Sequence, residues 1–330
     1  MTPVLERPAA RAAASAYANL PRPLFTRLPF DYRVVPPRIR TAGLRLLARL
    51  TPMPSRFPSW PIEPSLDTPQ TGGFAAPFRA GLVLTHDIDT RAELELVEPI
   101  RELERACGVV SAWGFVPSRS WPTEEGARGL AAEGCEVYWH DLRHDGKLAF
   151  QPLARIRAAF ARVDEASPWA TELIQSFRSG HLLMTPDLMT AIDDRFAIDL
   201  SIPDTERHGP YGGTAGCGTV VPFLIGRCLE IPLSLPQDVY MRHVDGFDAI
   251  EALRVWQSKV EHIVSMGGVA VLNTHPVWVN PWRTDMWQAY RSFLEWAIDR
   301  GDLLVTTPGA IRRLLIDDVP RPAVTPFAAR

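Results

Sequence analysis

Lysine is nearly missing from this 330-residue chain: of its 35 basic residues only Lys147 and Lys259 are lysine. That bias reads mainly as codon preference, not function. An excess of one charge sign is missing too. The net charge of −3 argues against a whole-chain nucleic-acid binder, which would carry a basic face for phosphate. No apolar run reaches the roughly 18 residues that span a bilayer. Residues 1–30 lack the apolar core of a secretory signal, because the Ala-rich stretch near Ala9–Ala18 is short and broken by Arg11 and Ser15. Cysteine is scarce, with four residues at 107, 135, 217 and 228 and no C-x-x-C pair. At this length that favours buried thiols over disulfides or ligands, and a reducing cytoplasm. What is present excludes disorder: the chain is 46% hydrophobic and 22% charged. It is long enough for one large barrel or two ordinary domains.

The charge is unevenly spread. Residues 1–56 hold ten arginines against Glu6 and Asp31, a net of +8, which leaves −11 on the remainder. A basic arm on an acidic body suggests an interaction segment. Residues 1–80 are Pro-rich and form an N-terminal extension with few readable elements. Within it, Pro37–Leu50 has apolar Ile39, Leu44, Leu46, Leu47 and Leu50 interleaved with Arg40, Arg45 and Arg49. That pattern predicts a short amphipathic basic helix. It either lies on an anionic membrane surface or packs on the main domain with its Arg face in water. Residues 57–67 contain too much proline for a helix and read as a strap over the body.

From Gly81 the pattern changes. Short apolar runs at 81–85, 109–116, 135–139, 172–177, 196–200, 228–232, 268–273 and 302–306 predict strands. Helical patterns fall at 91–107, 123–133, 152–166, 186–194, 248–266, 282–299 and 308–316. Strand–helix alternation predicts a parallel sheet with right-handed crossovers. Six or more such units close most economically into an α/β barrel of about seven parallel strands. An open doubly wound sheet is the alternative, but no G-x-G-x-x-G follows the first strand. The expected organisation is an extension over 1–80, a barrel over 81–316 and a tail over 317–330. Residues 209–218 are Gly-rich and read as a long loop, a kind often functional.

Barrel enzymes carry their chemistry just past the C-terminal ends of strands. Here the first strand runs into His86-Asp87-Ile88-Asp89 and the third into His140-Asp141-Leu142-Arg143-His144. The fourth ends at Arg178-Ser179-Gly180-His181, the fifth at Asp199-Leu200-Ser201, and the seventh at Asn273-Thr274-His275-Pro276. Five strand ends with charged or imidazole groups are hard to explain as solvated loops. Two histidines at H-x-x-x-H spacing plus a carboxylate suit a divalent cation such as zinc and leave a position open for water. Such a centre needs a base and an acid, and Asp87 and His275 are available. His208 and Tyr211 in the Gly-rich loop, and Trp278 and Trp282 after His275, could be exposed or packed groups or could touch substrate. Trp60, Trp113 and Trp121 read as packing.

In order and character these residues resemble the polysaccharide deacetylases of the NodB-homology type, carbohydrate esterase family 4, over about residues 80–315. The resemblance implies a distorted (β/α) barrel that hydrolyses N-acetyl groups on sugars with an Asp-His-His-bound divalent ion. Carried over position by position, it implies Asp87 as base and Asp89 as ligand. The family's two acids are adjacent, whereas Asp-x-Asp resembles a divergent branch and leaves the two roles open to exchange. His140 and His144 match the two ligand histidines. Arg178 matches the arginine that pairs with the base, although Ser179-Gly180-His181 replaces the usual proline and aromatic. Asp199 and Ser201 resemble the motif whose acid steadies that arginine. His275 matches the general acid, and Asn273 stands where the family usually has a leucine lining the acyl pocket.

The expectation is therefore a hydrolase with one divalent ion, zinc by preference. Its substrate would be an N-acylated sugar, soluble or lipid-linked, at the cytoplasmic side of the membrane. His181, Asp199, Tyr211 and Trp278 are candidate substrate contacts. Two other readings keep the same barrel: a hydrolase of a non-sugar C–N bond, or a glycan-binding protein without catalysis.

Overall fold

The computed structural model describes residues 7–50, 74–205, 216–279, 281 and 284–317. The expected strap at 57–67, Trp60, His208, Tyr211, Trp282 and the tail beyond 317 lie outside the described residues.

The strands are β1 (Ala80–Ile88), β2 (Ala112–Phe115), β3 (Glu136–His140), β4 (Ser176–Arg178), β5 (Ile198–Asp199), β6 (Phe223–Ile225), β7 (Cys228–Glu230), β8 (Val269–Thr274) and β9 (Leu303–Thr306). They form one curled sheet in the order β6-β7-β5-β4-β3-β2-β1-β8, with β9 also paired to β1. Eight strands run parallel and β6 is antiparallel to β7. The curl is completed beyond β7. There Leu235 N donates to Val271 O at 3.0 Å, and Ser234 Oγ donates to Val269 O at 2.8 Å. The result is the expected distorted α/β barrel: its eight parallel strands, against about seven expected, match the eight apolar runs, and the antiparallel β6 is added.

Period two sorts the side chains. Val83, Ala112, Tyr138, Ile198, Leu200, Leu229, Val269 and Val271 fill the inside. Leu82, Leu84, Trp113, Val137, Trp139 and Phe177 face the helical layer. Both faces of β1 are covered, so all nine of its residues are buried. This is why the strand reads as a nearly continuous apolar run.

Several boundaries differ from expectation. β1 continues through Asp87 to Ile88 instead of stopping at Thr85. The run expected as a strand from 172 begins instead as the helix Trp169–Leu173, with Pro168 at its N-cap, and β4 starts only at Ser176. In the extension, Pro8–Ala18 is a helix with Pro8 at its first turn. It buries Ala10, Ala14, Tyr17 and Ala18, a helical spacing. Tyr17 Oη donates to Leu182 O at 2.7 Å. The expected helix Pro37–Leu50 forms and lies against residues 241–245. All four cysteines are free thiols, three of them buried.

Candidate active site

Inside the barrel mouth, β1 points Thr85 and Asp87 inward, on the same face as Val83. Asp87 is 2% exposed. Its Oδ2 accepts from Asn273 Nδ2 at 2.7 Å, and Arg178 Nη1 lies 3.1 Å from Oδ1. The Tyr138 hydroxyl donates to the same Oδ1. Arg178 Nη1 is also 2.7 Å from Tyr138 Oη, 2.8 Å from Asn273 Oδ1 and 3.0 Å from Thr85 Oγ1. The approach of Tyr138 depends on Gly114 across the β2–β3 pairing, where a Cβ would sit 2.2 Å from the Tyr138 ring. Burial alone would raise the Asp87 pKa, but the positive charges of His140, Arg178 and His275 outweigh it. The carboxyl is held well below the usual carboxylate range.

Asp89, His140 and His144 meet beside it. Their ligand atoms all lie within 4.8 Å of one another. Asp89 Oδ1 is 3.3 Å from His140 Nε2 and 3.5 Å from His144 Nε2. His140 Nδ1 lies 3.1 Å from Arg178 O, an acceptor that fixes the proton on Nδ1. Its Nε2 therefore turns towards Asp89. Asp89 Oδ1 and His140 Nε2 are both buried without a hydrogen-bond partner. A carboxylate oxygen 3.3 Å from an imidazole nitrogen is satisfied either by a proton on that nitrogen, which Asp87 and Asp89 favour, or by a cation held by both atoms. The donor set of one carboxylate and two imidazoles suits a borderline divalent ion. His140 is the last residue of β3, not a loop residue, and His144 sits on a left-handed backbone at φ 52°.

His275 follows β8. Its Nε2 is 4.0 Å from Asp87 Oδ2. Asp238 grips it twice, with Oδ1 2.7 Å from Nδ1 and Oδ2 accepting from the backbone N at 2.8 Å. Burial opposes the charged imidazolium, but Asp238 foremost, then Asp89 and Asp87, push its pKa up to about 10. Asp238→Asn should remove the largest of these charges and lower that pKa. If His275 acts as an acid, the alkaline limb of the pH–rate profile then moves to lower pH, and activity falls more at pH 9 than at pH 7. An unmoved limb would take Asp238 out of this role.

The remaining expected residues divide. His181 is brought in: its ring centroid is 4.5 Å from that of His144. It adopts φ 56° and places Nε2 3.0 Å from Tyr32 Oη of the N-terminal extension. Phe25 and Tyr32 meet its ring edge-on at 5.1 and 5.2 Å. Trp278 is half-buried on the turn after His275, its backbone N donating to His275 O at 2.8 Å. Asp199 is not brought in. Ile198 and Leu200 face inward, so Asp199 faces the helical layer. There it accepts from the Ser201 hydroxyl and pairs in register with Glu230. Burial above all raises both carboxyls, Asp199 to about 6. Among the described residues Arg178 has its ion pair with Asp87 and none with Asp199, which acts on the arginine only through its charge.

Three residues of the site were not read from the sequence. Tyr138 shares the inward face of β3 with His140, two positions away, so strand periodicity could have found it. Tyr32 and Asp238 reach the site over 149 and 37 positions of chain, and no local pattern marks either.

No family model matches the chain, and no curated protein sequence does. Solved structures do. A structure from Mycobacterium smegmatis named as a polysaccharide deacetylase superposes with a TM-score of 0.59 at 16% identity, over 81% of this chain and 99% of its own. An allantoinase gives 0.58 at 14% identity, over 77% and 96%. A structure from Pseudomonas aeruginosa PAO1, also named as a polysaccharide deacetylase, gives 0.57 at 12% identity, over 74% and 93%. The fold of this chain is that of the polysaccharide deacetylases.

Proposed function

We propose that the chain is a metal-dependent hydrolase that removes an N-acyl group, most simply acetyl, from a sugar. One observation carries this reading. Asp87 Oδ2 and His275 Nε2 stand 4.0 Å apart, beside a cluster of Asp89, His140 and His144 whose ligand atoms lie within 4.8 Å of one another. The shared fold with two structures named as polysaccharide deacetylases supports it.

In this reading Asp89, His140 and His144 hold one divalent ion, zinc by preference. When bound, the ion would supply Lewis acidity, polarising the amide carbonyl and lowering the pKa of water. Asp87 takes the proton of the attacking water at a carboxylate oxygen. Arg178 and Tyr138 hold Asp87 Oδ1, and Asn273 holds Oδ2, so the base is fixed in place. His275 donates from Nε2 to the leaving nitrogen, because Nδ1 is committed to Asp238. Asn273 replaces the apolar residue expected at the acyl pocket. Its side chain is spent on Asp87, Arg178 and, at 3.2 Å, Gln237, so it serves the base and not the acyl group. The basic extension beside the site favours a lipid-linked glycan intermediate at the cytoplasmic membrane face over finished wall polysaccharide.

The test is acetate release from a panel of N-acetylated sugars, free and lipid-linked. Release from at least one member is expected. Loss of formyl or longer acyl groups alone would change the acyl assignment. No release from any N-acylated sugar by ion-loaded protein would end the hydrolase reading.

A further inference from the structure

Among the described residues eight large hydrophobic side chains are exposed, and five of them crowd into one part of the extension. They are Leu24 at 78%, Phe30 at 46%, Val34 at 70%, Ile39 at 61% and Leu46 at 57%. Ile39 and Leu46 are seven residues apart on the helix Pro37–Leu50 and share one face. Ala42 and Gly43, between them on that face, are exposed as well. The helix lies against residues 241–245 with Ile39, Ala42, Gly43 and Leu46 turned outward. The expected packing on the main domain and an exposed Arg38 are both present, and apolar Ile39 and Leu46 face solvent beside it.

The surroundings of this stripe are cationic. Residues 7–50 carry nine arginines and one acidic residue, Asp31, and Asp31 lies 2.8 Å from Arg119 of the barrel. Arg27 and Arg38 are exposed among the apolar positions. Exposed apolar side chains interleaved with Arg27 and Arg38 fit the boundary of an anionic bilayer, where the chains enter the headgroup region and the guanidinium groups meet phosphate. A second copy docked face to face would set Arg27 and Arg38 against their like-charged counterparts. The face also adjoins the site, since Tyr32, between Phe30 and Val34, contacts His181.

We propose that residues 24–46 form a docking face for an anionic phospholipid surface, which holds the mouth of the active site against the bilayer. The corollary that the substrate is anchored in that bilayer rests on the hydrolase reading; the docking does not.

Co-sedimentation of the full chain with vesicles tests it. Binding should require phosphatidylglycerol in a phosphatidylcholine vesicle. It should weaken at least tenfold between low and high salt, because screening removes the arginine attraction. Ile39→Asp combined with Leu46→Asp should weaken binding at least tenfold, with the circular dichroism spectrum unchanged because both positions face solvent. Arg27→Glu combined with Arg38→Glu keeps the apolar residues and should abolish the preference for phosphatidylglycerol. Equal binding to neutral vesicles, or no binding to either, overturns the proposal. So does a dimer in light scattering that Ile39→Asp dissociates. Vesicle binding without release of an acyl group from any N-acylated sugar would sink the hydrolase reading alone; acyl release without vesicle binding would sink the docking face alone.

Discussion

Asp87→Asn should lower turnover by about 10²- to 10⁴-fold, the range for loss of a general acid or base, while bound ion stays near the wild-type level. The amide cannot take a proton from water at neutral pH. The substitution also disturbs the network around it. Asn273 Nδ2 donates to Asp87 Oδ2 at 2.7 Å, and an amide nitrogen there would oppose donor to donor. Rotating Asn273 does not cure this, because its Oδ1 accepts from Arg178 at 2.8 Å. Arg178, fully buried, would lose the carboxylate that neutralises it. Breaking a buried pair from one side costs about 3–5 kcal/mol, so a lower melting temperature accompanies the loss of rate. Metal content must therefore be read on protein shown to be folded. Asp89→Asn is the partner experiment: it should lose the ion. If Asp87→Asn loses the ion and Asp89→Asn retains it, the two aspartates have exchanged roles. Full activity in both variants would remove the pair from catalysis.

His144→Ala should bring activity to background by loss of the ion, and His140→Ala should do the same. A ligand held on one ring nitrogen cannot be replaced by a methyl group. The loss in affinity should exceed the roughly 10- to 100-fold typical of partners behind the ligands. The two variants differ in what else they disturb. His140 is 2% exposed at the end of β3, and its Nδ1 is the partner of Arg178 O. In His140→Ala that carbonyl keeps the backbone N of Asp141 at 2.8 Å, but a buried ring is lost from the end of β3, so stability should fall as well. His144 sits on a loop, so His144→Ala is the cleaner reading of the ligand role. Ion content by elemental analysis decides. Wild-type content in either variant excludes that histidine from the set.

The sites at strand ends were legible because a parallel barrel places its polar groups in one recurrent position. Apolar run followed by charged or imidazole residues marks Asp87, Asp89, His140, Arg178 and His275, and the structure gathers all five with His144. Side-chain parity was not legible. Strands covered on both faces read as unbroken apolar runs, so nothing in Ile198-Asp199-Leu200 shows that the acid turns outward. Asp238 escaped for a different reason. It follows an irregular segment whose register is set by Ser234 bonding across to β8, a contact without a sequence period. The run at 228–232 marked β7, but its antiparallel partner β6 was missed because a three-residue strand carries too little alternation to register. In the extension, proline hid the helix Pro8–Ala18, although proline is favoured in a first turn.

The central claim is that an ion held by Asp89, His140 and His144 is required for removal of an acyl group. The most direct measurement strips the protein with a chelator and titrates zinc back. Bound ion and acetate released from an N-acetylated sugar are read in the same samples. The account predicts one ion per chain, no release from stripped protein, and release that rises in step with occupancy and saturates with it. Release that persists in fully stripped protein, or full occupancy of that site without release from any N-acylated sugar, would contradict it.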